Sequence, residues 1–332
     1  MSGKVIDGHR HIVCPEAHRR AGRLDARKAT DLYPAGINRA TYDVNTKMAP
    51  EWLAKQSDVS RNIADLVEAG MDIGVVQPNP LGFYYWAEGS TGADLSRIVN
   101  EYMAEAVRQY PDRLLGLATV PMQDVDRAVK EIAYAVQKLK LSGVVVGTNI
   151  NGKGLDDPQF LPFFEAVEDL DIPIFIHASN PFGAERIRDY YLVNLIGFPV
   201  ETAITVAQLV FGGVLDRYPR LKICLSHAGG VFPFIVGRLE HGQSVRPETA
   251  ALCKHPFSHY LRNLYVDTIT YRADTLRFVL EMMPKGNVFL GTDYPFDMAD
   301  GDPVKSVKSA VSDPASLEAI LGGNISRLMR LS

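Results

Sequence analysis

Eight times along this chain a short apolar run rich in β-branched residues ends in small or polar residues, and a helical pattern follows. The runs are 4–12 (KVIDGHRHI), 73–79 (IGVVQPN), 113–120 (RLLGLATV), 143–148 (GVVVGT), 172–178 (IPIFIHA), 222–228 (KICLSHA), 264–270 (LYVDTIT) and 288–294 (VFLGTDY). Helix-like stretches lie between them at 60–70, 94–109, 125–140, 158–169, 200–212, 231–243 and 272–283. Some mark their own ends. Asp157-Pro158 is an N-cap followed by proline at the first helical position, and Gly70 stands at a helix end. Strands that are apolar almost throughout and alternate with helices belong to a parallel sheet covered on both faces. An open doubly wound sheet would carry a glycine-rich dinucleotide loop after the first strand, and the sequence has none there. The expected fold is an α/β (β/α)8 TIM barrel in which 1–332 is a single domain. Two segments interrupt the alternation, 13–58 after the first strand and 179–199 after the fifth. Loops at strand C-termini build the mouth of such a barrel, so both insertions are expected to form substrate walls.

Charge and composition narrow the function. Lys plus Arg total 35 and Asp plus Glu 39, for a net charge of −4. That balance supplies no electrostatic footprint for nucleic acid or an anionic membrane. No apolar run reaches the roughly 18–20 residues that span a bilayer. The start, MSGKVIDGHRH, lacks the apolar core of a signal peptide. Cys14, Cys224 and Cys253 are far apart and odd in number, which fits neither a disulfide framework nor a thiolate cluster. A cytoplasmic protein is expected, and the Asn-x-Ser sequon at Asn324 is read as incidental.

The residues that carry chemistry sit at the ends of the strand candidates. His9 and His11, two apart on the first strand, present both imidazoles on one face. His177, His227 and Asp293 end the fifth, sixth and eighth. His177 alone reads more readily as a packed core residue than as a ligand, and Asp293 alone equally well as a helix cap. Together, four of the eight histidines and one aspartate converge on one mouth. A histidine–carboxylate set that leaves room for water suits a catalytic zinc or a similar divalent ion. His18, His241, His255 and His259 fall in loops or helices and are read as surface or packing residues.

With these residues in place the chain resembles the amidohydrolase superfamily, in the branch containing aminocarboxymuconate-semialdehyde decarboxylase and related metal-dependent decarboxylases. The resemblance runs over nearly the whole length. It is carried by Ile6-Asp7-x-His9-x-His11, by Tyr85-Trp86 and by Tyr110-Pro111-x-Arg113 through Pro121-Met122-Gln123. Leu155-Asp156-Asp157-Pro158, Pro199-x-Glu201-Thr202 and Gly323-Asn324 also match. The most specific blocks are His227-x-Gly229-Gly230-x-Phe232-Pro233-Phe234-x-x-Gly237-Arg238 and Gly291-Thr292-Asp293-Tyr294-Pro295-Phe296.

The resemblance implies that His9, His11, His177 and Asp293 are ligands of one divalent ion, zinc in the nearest relatives and manganese in some others. It implies that His227 is the catalytic acid/base histidine and not a ligand. It also implies a homodimer in which Arg238 reaches the substrate carboxylate in the neighbouring subunit's site. Residues 143–148 contain no lysine, so the bridging carbamylated lysine of two-metal relatives is missing and one ion is expected.

Two departures place the substrate pocket apart. His177-Ala178-Ser179-Asn180 stands where those decarboxylases carry Pro-Trp-Asp after the histidine. Arg39 and Lys47 lie near the family's first-loop carboxylate-binding arginine, and neither aligns with it.

The expected activity is non-oxidative decarboxylation of an aromatic or muconate-type carboxylic acid, with His227 and a water held at the ion exchanging the proton. Hydrolysis of a lactone, amide or carbon–carbon bond, or hydration, is the alternative on the same site. Tyr84, Tyr85, Trp86 and Phe296 form an aromatic wall or simply pack, and Asn180 faces the substrate. Asp7 shares the parity of His9 and His11 and is expected to orient an imidazole. Arg10, of opposite parity, points toward the helices.

Overall fold

The computed structural model describes residues 3–30 and 36–331, so 31–35 of the first insertion lie outside the described residues. Eight parallel strands form one sheet: β1 Ile6–Ile12, β2 Ile73–Pro78, β3 Leu114–Ala118, β4 Gly143–Gly147, β7 Pro173–His177, β8 Lys222–Leu225, β9 Leu264–Asp267 and β10 Val288–Phe289. A small antiparallel hairpin, β5 Asn149–Ile150 with β6 Lys153–Gly154, follows β4. The barrel strands pair in chain order. Closure comes past the short β10, where Gly8 N–H donates to Leu290 O at 2.8 Å and His11 N–H to Tyr294 O at 3.0 Å. The eight strand candidates thus coincide with the eight barrel strands. The last is shorter than 288–294 because the chain leaves the ladder to reach β1.

Apolar runs such as GVVVG and PIFIH are buried along their whole length, because one face fills the barrel and the other meets helices. The helices up to β7 are α1 Pro15–Leu24, α2 Arg39–Ser57, α3 Val59–Glu68, α4 Gly89–Gln109, α5 Val125–Gln137 and α6 Leu161–Leu170. After β7 come α7 Phe198–Phe211, α8 Val214–Arg217, α9 Phe232–Val245, α10 Pro247–Ala250, α11 Ala273–Met282, α12 Pro303–Ala310, α13 Pro314–Glu318 and α14 Asn324–Leu328. Aspartates start several of them. Asp58, Asp124, Asp302 and Asp313 each accept the N–H three residues on. Asp157 caps a single turn that leads into α6.

The first insertion is mostly helix, α1 and α2. The second contains a helical turn at Val193–Gly197 that runs directly into α7. That fusion corrects one sequence expectation. Val193–Phe211 is a continuous helical stretch of 19 residues, long and apolar enough by length and composition to cross a membrane. More than half of it is buried within the protein, as in a core helix. The three cysteines are free and buried. Asn324 is buried too, its amide donating to Val288 O at 2.7 Å, so its side chain holds β10 in place.

Candidate metal centre

Strand β1 is buried on both faces, and its two-residue period turns His9 and His11 to the same side, with ring centroids 5.1 Å apart. His177, the last residue of β7, brings a third ring 5.2 Å from each. Asp293 follows β10 in a left-handed backbone (φ 61°) and points its carboxylate at all three. Its Oδ1 lies 3.0 Å from His11 Nε2, 3.4 Å from His9 Nε2 and 3.8 Å from His177 Nε2. The four donor atoms fall within 4.8 Å of one another.

Each ring is fixed from behind. His9 Nδ1 donates to Asp267 Oδ2 at 2.8 Å, His177 Nδ1 lies 3.0 Å from Ala178 O, and His11 Nδ1 lies 3.4 Å from Pro78 O. Acceptors behind Nδ1 leave the three Nε2 lone pairs aimed at one point, the tautomer that metal ligation requires. The fit to a divalent ion is testable on the atoms themselves. His9 Nε2 and His177 Nε2 are buried with no hydrogen-bond partner, a costly state for polar atoms unless something binds them. Three imidazoles and one carboxylate make a single divalent metal site.

Electrostatics agree with an anionic carboxylate beside neutral His11 and His177 rings. Burial pushes the Asp293 pKa up, but the imidazoles of His11, His177 and His227 around it outweigh that and hold the group well below the usual carboxylate range. Burial, with the other imidazoles adding to it, pushes His177 down to about 3. Burial lowers His11 as well. For His9 burial acts downward too, yet the Asp267 bond and the charges of Asp293, Asp267 and Asp7 reverse the sign and raise it.

His227 stands apart from this donor set. It follows β8 with a left-handed φ of 56°, and its Nε2 lies 3.3 Å from the other oxygen of Asp293, Oδ2. The ring is 5.1 Å from His177 and 5.6 Å from His9, and it is the most open of the four imidazoles. It flanks the ligand point from the opposite edge of the carboxylate.

Beside the centre is a cavity of about 420 Å³, built from the loops after β2, β4 and β7 and from the first insertion. Tyr84, Tyr85, Trp86 and Asn180 line it, as do Arg27 and Lys28 from the segment after α1. The Tyr85 hydroxyl accepts the Gly147 N–H at 3.1 Å, so that ring is tied to the barrel. The Trp86 indole nitrogen is buried without a partner. Phe296 meets the metal centre instead, edge-on to His11 at 5.3 Å with Trp52 behind it at 5.6 Å. Arg238 is exposed on the outer side of α9 and does not line this cavity.

A family model described as amidohydrolase matches residues 6–331. The chain belongs to the amidohydrolase family. It is 36% identical over 272 residues to the 2-amino-3-carboxymuconate-6-semialdehyde decarboxylase of Dictyostelium discoideum, covering 80% of this chain and 75% of the relative. The crystal structure of 5-carboxyvanillate decarboxylase from Sphingomonas paucimobilis matches it with a TM-score of 0.86 and 26% identity over 99% of both chains. A dihydroxybenzoic acid decarboxylase from Polaromonas sp., solved with manganese and 2-nitroresorcinol, shares the fold. Its TM-score is 0.83 at 24% identity, covering 100% of this chain and 98% of that one.

One sequence expectation needs correction in this amidohydrolase, and the structure adds residues the sequence did not single out. Asp7 orients no imidazole: its fully buried carboxylate accepts Thr292 Oγ1–H, Thr292 N–H, His9 N–H and Arg10 Nη1–H. The His9 ring is held by Asp267, a residue the sequence reading missed although it ends the seventh strand like the ligands. In the first insertion the basic residues at the cavity are Arg27 and Lys28. Arg39 is exposed and paired with Asp43, and Lys47 is exposed on α2. Arg10 does point outward to the helices, bonding Asn62 of α3 at 2.6 Å and stacking on the Tyr294 ring at 3.8 Å.

Proposed function

We propose that this amidohydrolase is a metal-dependent carboxy-lyase that releases carbon dioxide, without redox change, from an aromatic or muconate-type carboxylic acid. One observation carries the reading. Two buried, partnerless Nε2 atoms converge with His11 and Asp293 on one point, and a more open imidazole outside that donor set sits across the same carboxylate. The decarboxylases to which the chain is similar act on acids of both kinds.

His9, His11, His177 and Asp293 hold the ion. When bound, the ion supplies Lewis-acid stabilisation of negative charge beside the leaving carboxylate. His227 supplies the proton. As the bond to the carboxylate carbon breaks, that carbon leaves as carbon dioxide, and the ring or alkene carbon keeps the electron pair and takes a proton from His227 Nε2. Water then reprotonates the imidazole, as in general acid–base catalysis by histidine. Arg27 and Lys28 put positive charge at the cavity edge facing an anionic substrate, and Trp86 and Tyr84 supply flat apolar surface.

Zinc is the proposed resident ion, since a set of three imidazoles and one carboxylate suits it. Manganese is the competing candidate, and metal analysis of the purified protein decides between them. We further infer a homodimer through the outer side of α9. Phe234 is 79% exposed there, next to Val231 and within a turn of Arg238, which leaves that guanidinium available to a neighbour.

The test is a panel of aromatic and muconate-type acids assayed for released carbon dioxide, with lactones and amides alongside. Carbon dioxide from at least one acid supports the assignment. Turnover confined to lactones or amides overturns it in favour of hydrolysis.

A further inference from the structure

Asp267 closes β9 with a fully buried carboxylate, and no motif in the sequence draws attention to it. Its two oxygens receive four N–H groups. Oδ2 accepts His9 Nδ1 at 2.8 Å and the His227 backbone N–H at 2.9 Å. Oδ1 accepts the Ala228 N–H at 2.7 Å and the Ile269 N–H at 3.1 Å. A carboxylate has about four lone-pair sites, so none is spare. Of the three residues tethered by their backbones, His227 and Ala228 both have left-handed φ, 56° and 54°. Non-glycine residues avoid that region unless their surroundings enforce it.

We propose that Asp267 is a positioning residue that sets the metal centre and the acid/base group together. Through His9 Nδ1 it fixes the tautomer that leaves Nε2 free for the ion. Through the N–H groups of His227 and Ala228 it holds the turn that aims the His227 ring at Asp293 Oδ2. The inference rests on His9 as ligand and His227 as proton donor. Asparagine has the same shape but one accepting oxygen. Whichever way its amide turns, the NH2 faces two of the four N–H groups.

The experiment compares Asp267→Asn with wild type in zinc affinity by chelator competition, kcat at saturating zinc, and thermal melting. The expected result is an affinity loss of roughly 10–100-fold. A loss in kcat of about tenfold or more should persist when the metal site is full. In the double variant His9→Ala/Asp267→Asn, affinity should be no lower than in His9→Ala alone, because the second change acts through the first. Unchanged affinity overturns the proposal, as does a kcat fully restored by saturating zinc. A lowered melting point with both other quantities intact makes Asp267 merely structural and also overturns it.

If the asparagine variant does not fold, the tautomer is read in the zinc-loaded wild type by long-range proton–nitrogen NMR. A proton on His9 Nδ1 is expected, and its absence overturns the proposal. Affinity and tautomer need no substrate. A wild-type protein that releases carbon dioxide from no acid therefore refutes the proposed function alone and leaves these two readouts to judge Asp267.

Discussion

Asp293 divides its two oxygens between separate tasks, and this division underlies the account at the scale of single residues. Oδ1 faces the three Nε2 atoms, while Oδ2 meets His227. His227→Asn should therefore lower kcat by about 10²–10⁴-fold while metal content stays near one ion per chain. Loss of the ion in that variant would mean that a ligand has been mistaken for the proton donor. His177→Ala and Asp293→Ala should instead lose metal and activity together.

Acidity gives a third check at this scale. In the metal-free chain His177 stays neutral down to about 3, whereas unfolded histidine protonates near 6.5. Unfolding then takes up a proton, so this group costs stability as pH falls from 6.5 toward 3. Asp293, depressed when folded, stabilises above its ordinary value of 3.8 and loses that contribution as pH falls through its lower folded value. His9 has the opposite sign: its raised pKa contributes fully below 6.5 and fades as pH rises through the folded value. Denaturant midpoints of the metal-free protein between pH 7 and 4 should fall, and fall less in His177→Gln. Equal slopes in the two proteins would contradict the His177 assignment.

At the scale of elements, the site depends on how closely the strand ends approach. A Cβ added at Gly291 would lie 2.8 Å from the Asp267 Cβ and 3.0 Å from the His9 Cβ. Gly291→Ala should force β1 and β9 apart, costing roughly 1–3 kcal/mol of stability as overpacking does, together with a measurable loss of metal affinity. Stability lost with affinity intact would show that the spacing of these strand ends is not critical to the centre.

The same closeness explains what could be read in advance. His9 and His11 were legible because strand period alone puts them on one side, and His177, His227 and Asp293 because they end apolar runs. Asp267 obeys the same rule in LYVDTIT, but its distant partners are the His9 ring and the backbone N–H groups of His227 and Ala228, which no spacing announces. Asp7 misled because parity gives the face of a strand and not the hydrogen-bond partner. Arg27 and Lys28 were missed because they lie in the turn after α1, where no strand or helix period says what a side chain faces.

For the whole molecule, closure through Gly8–Leu290 and His11–Tyr294 turns eight local strand–helix units into one mouth, and the insertions wall it. The proposed dimer makes a further prediction. Arg238→Ala and His227→Ala subunits, each inactive alone, should regain activity when refolded together, because one mixed site then has both groups. No recovery despite verified mixed dimers would remove Arg238 from the neighbouring site.

The most direct test of the central claim is restoration of activity by metal titration. Protein stripped by a chelator and assayed for carbon dioxide release should be inactive, and activity should rise linearly to a break at one divalent ion per chain. Full activity in the stripped protein, or a break at two ions, would contradict a single cation held by His9, His11, His177 and Asp293.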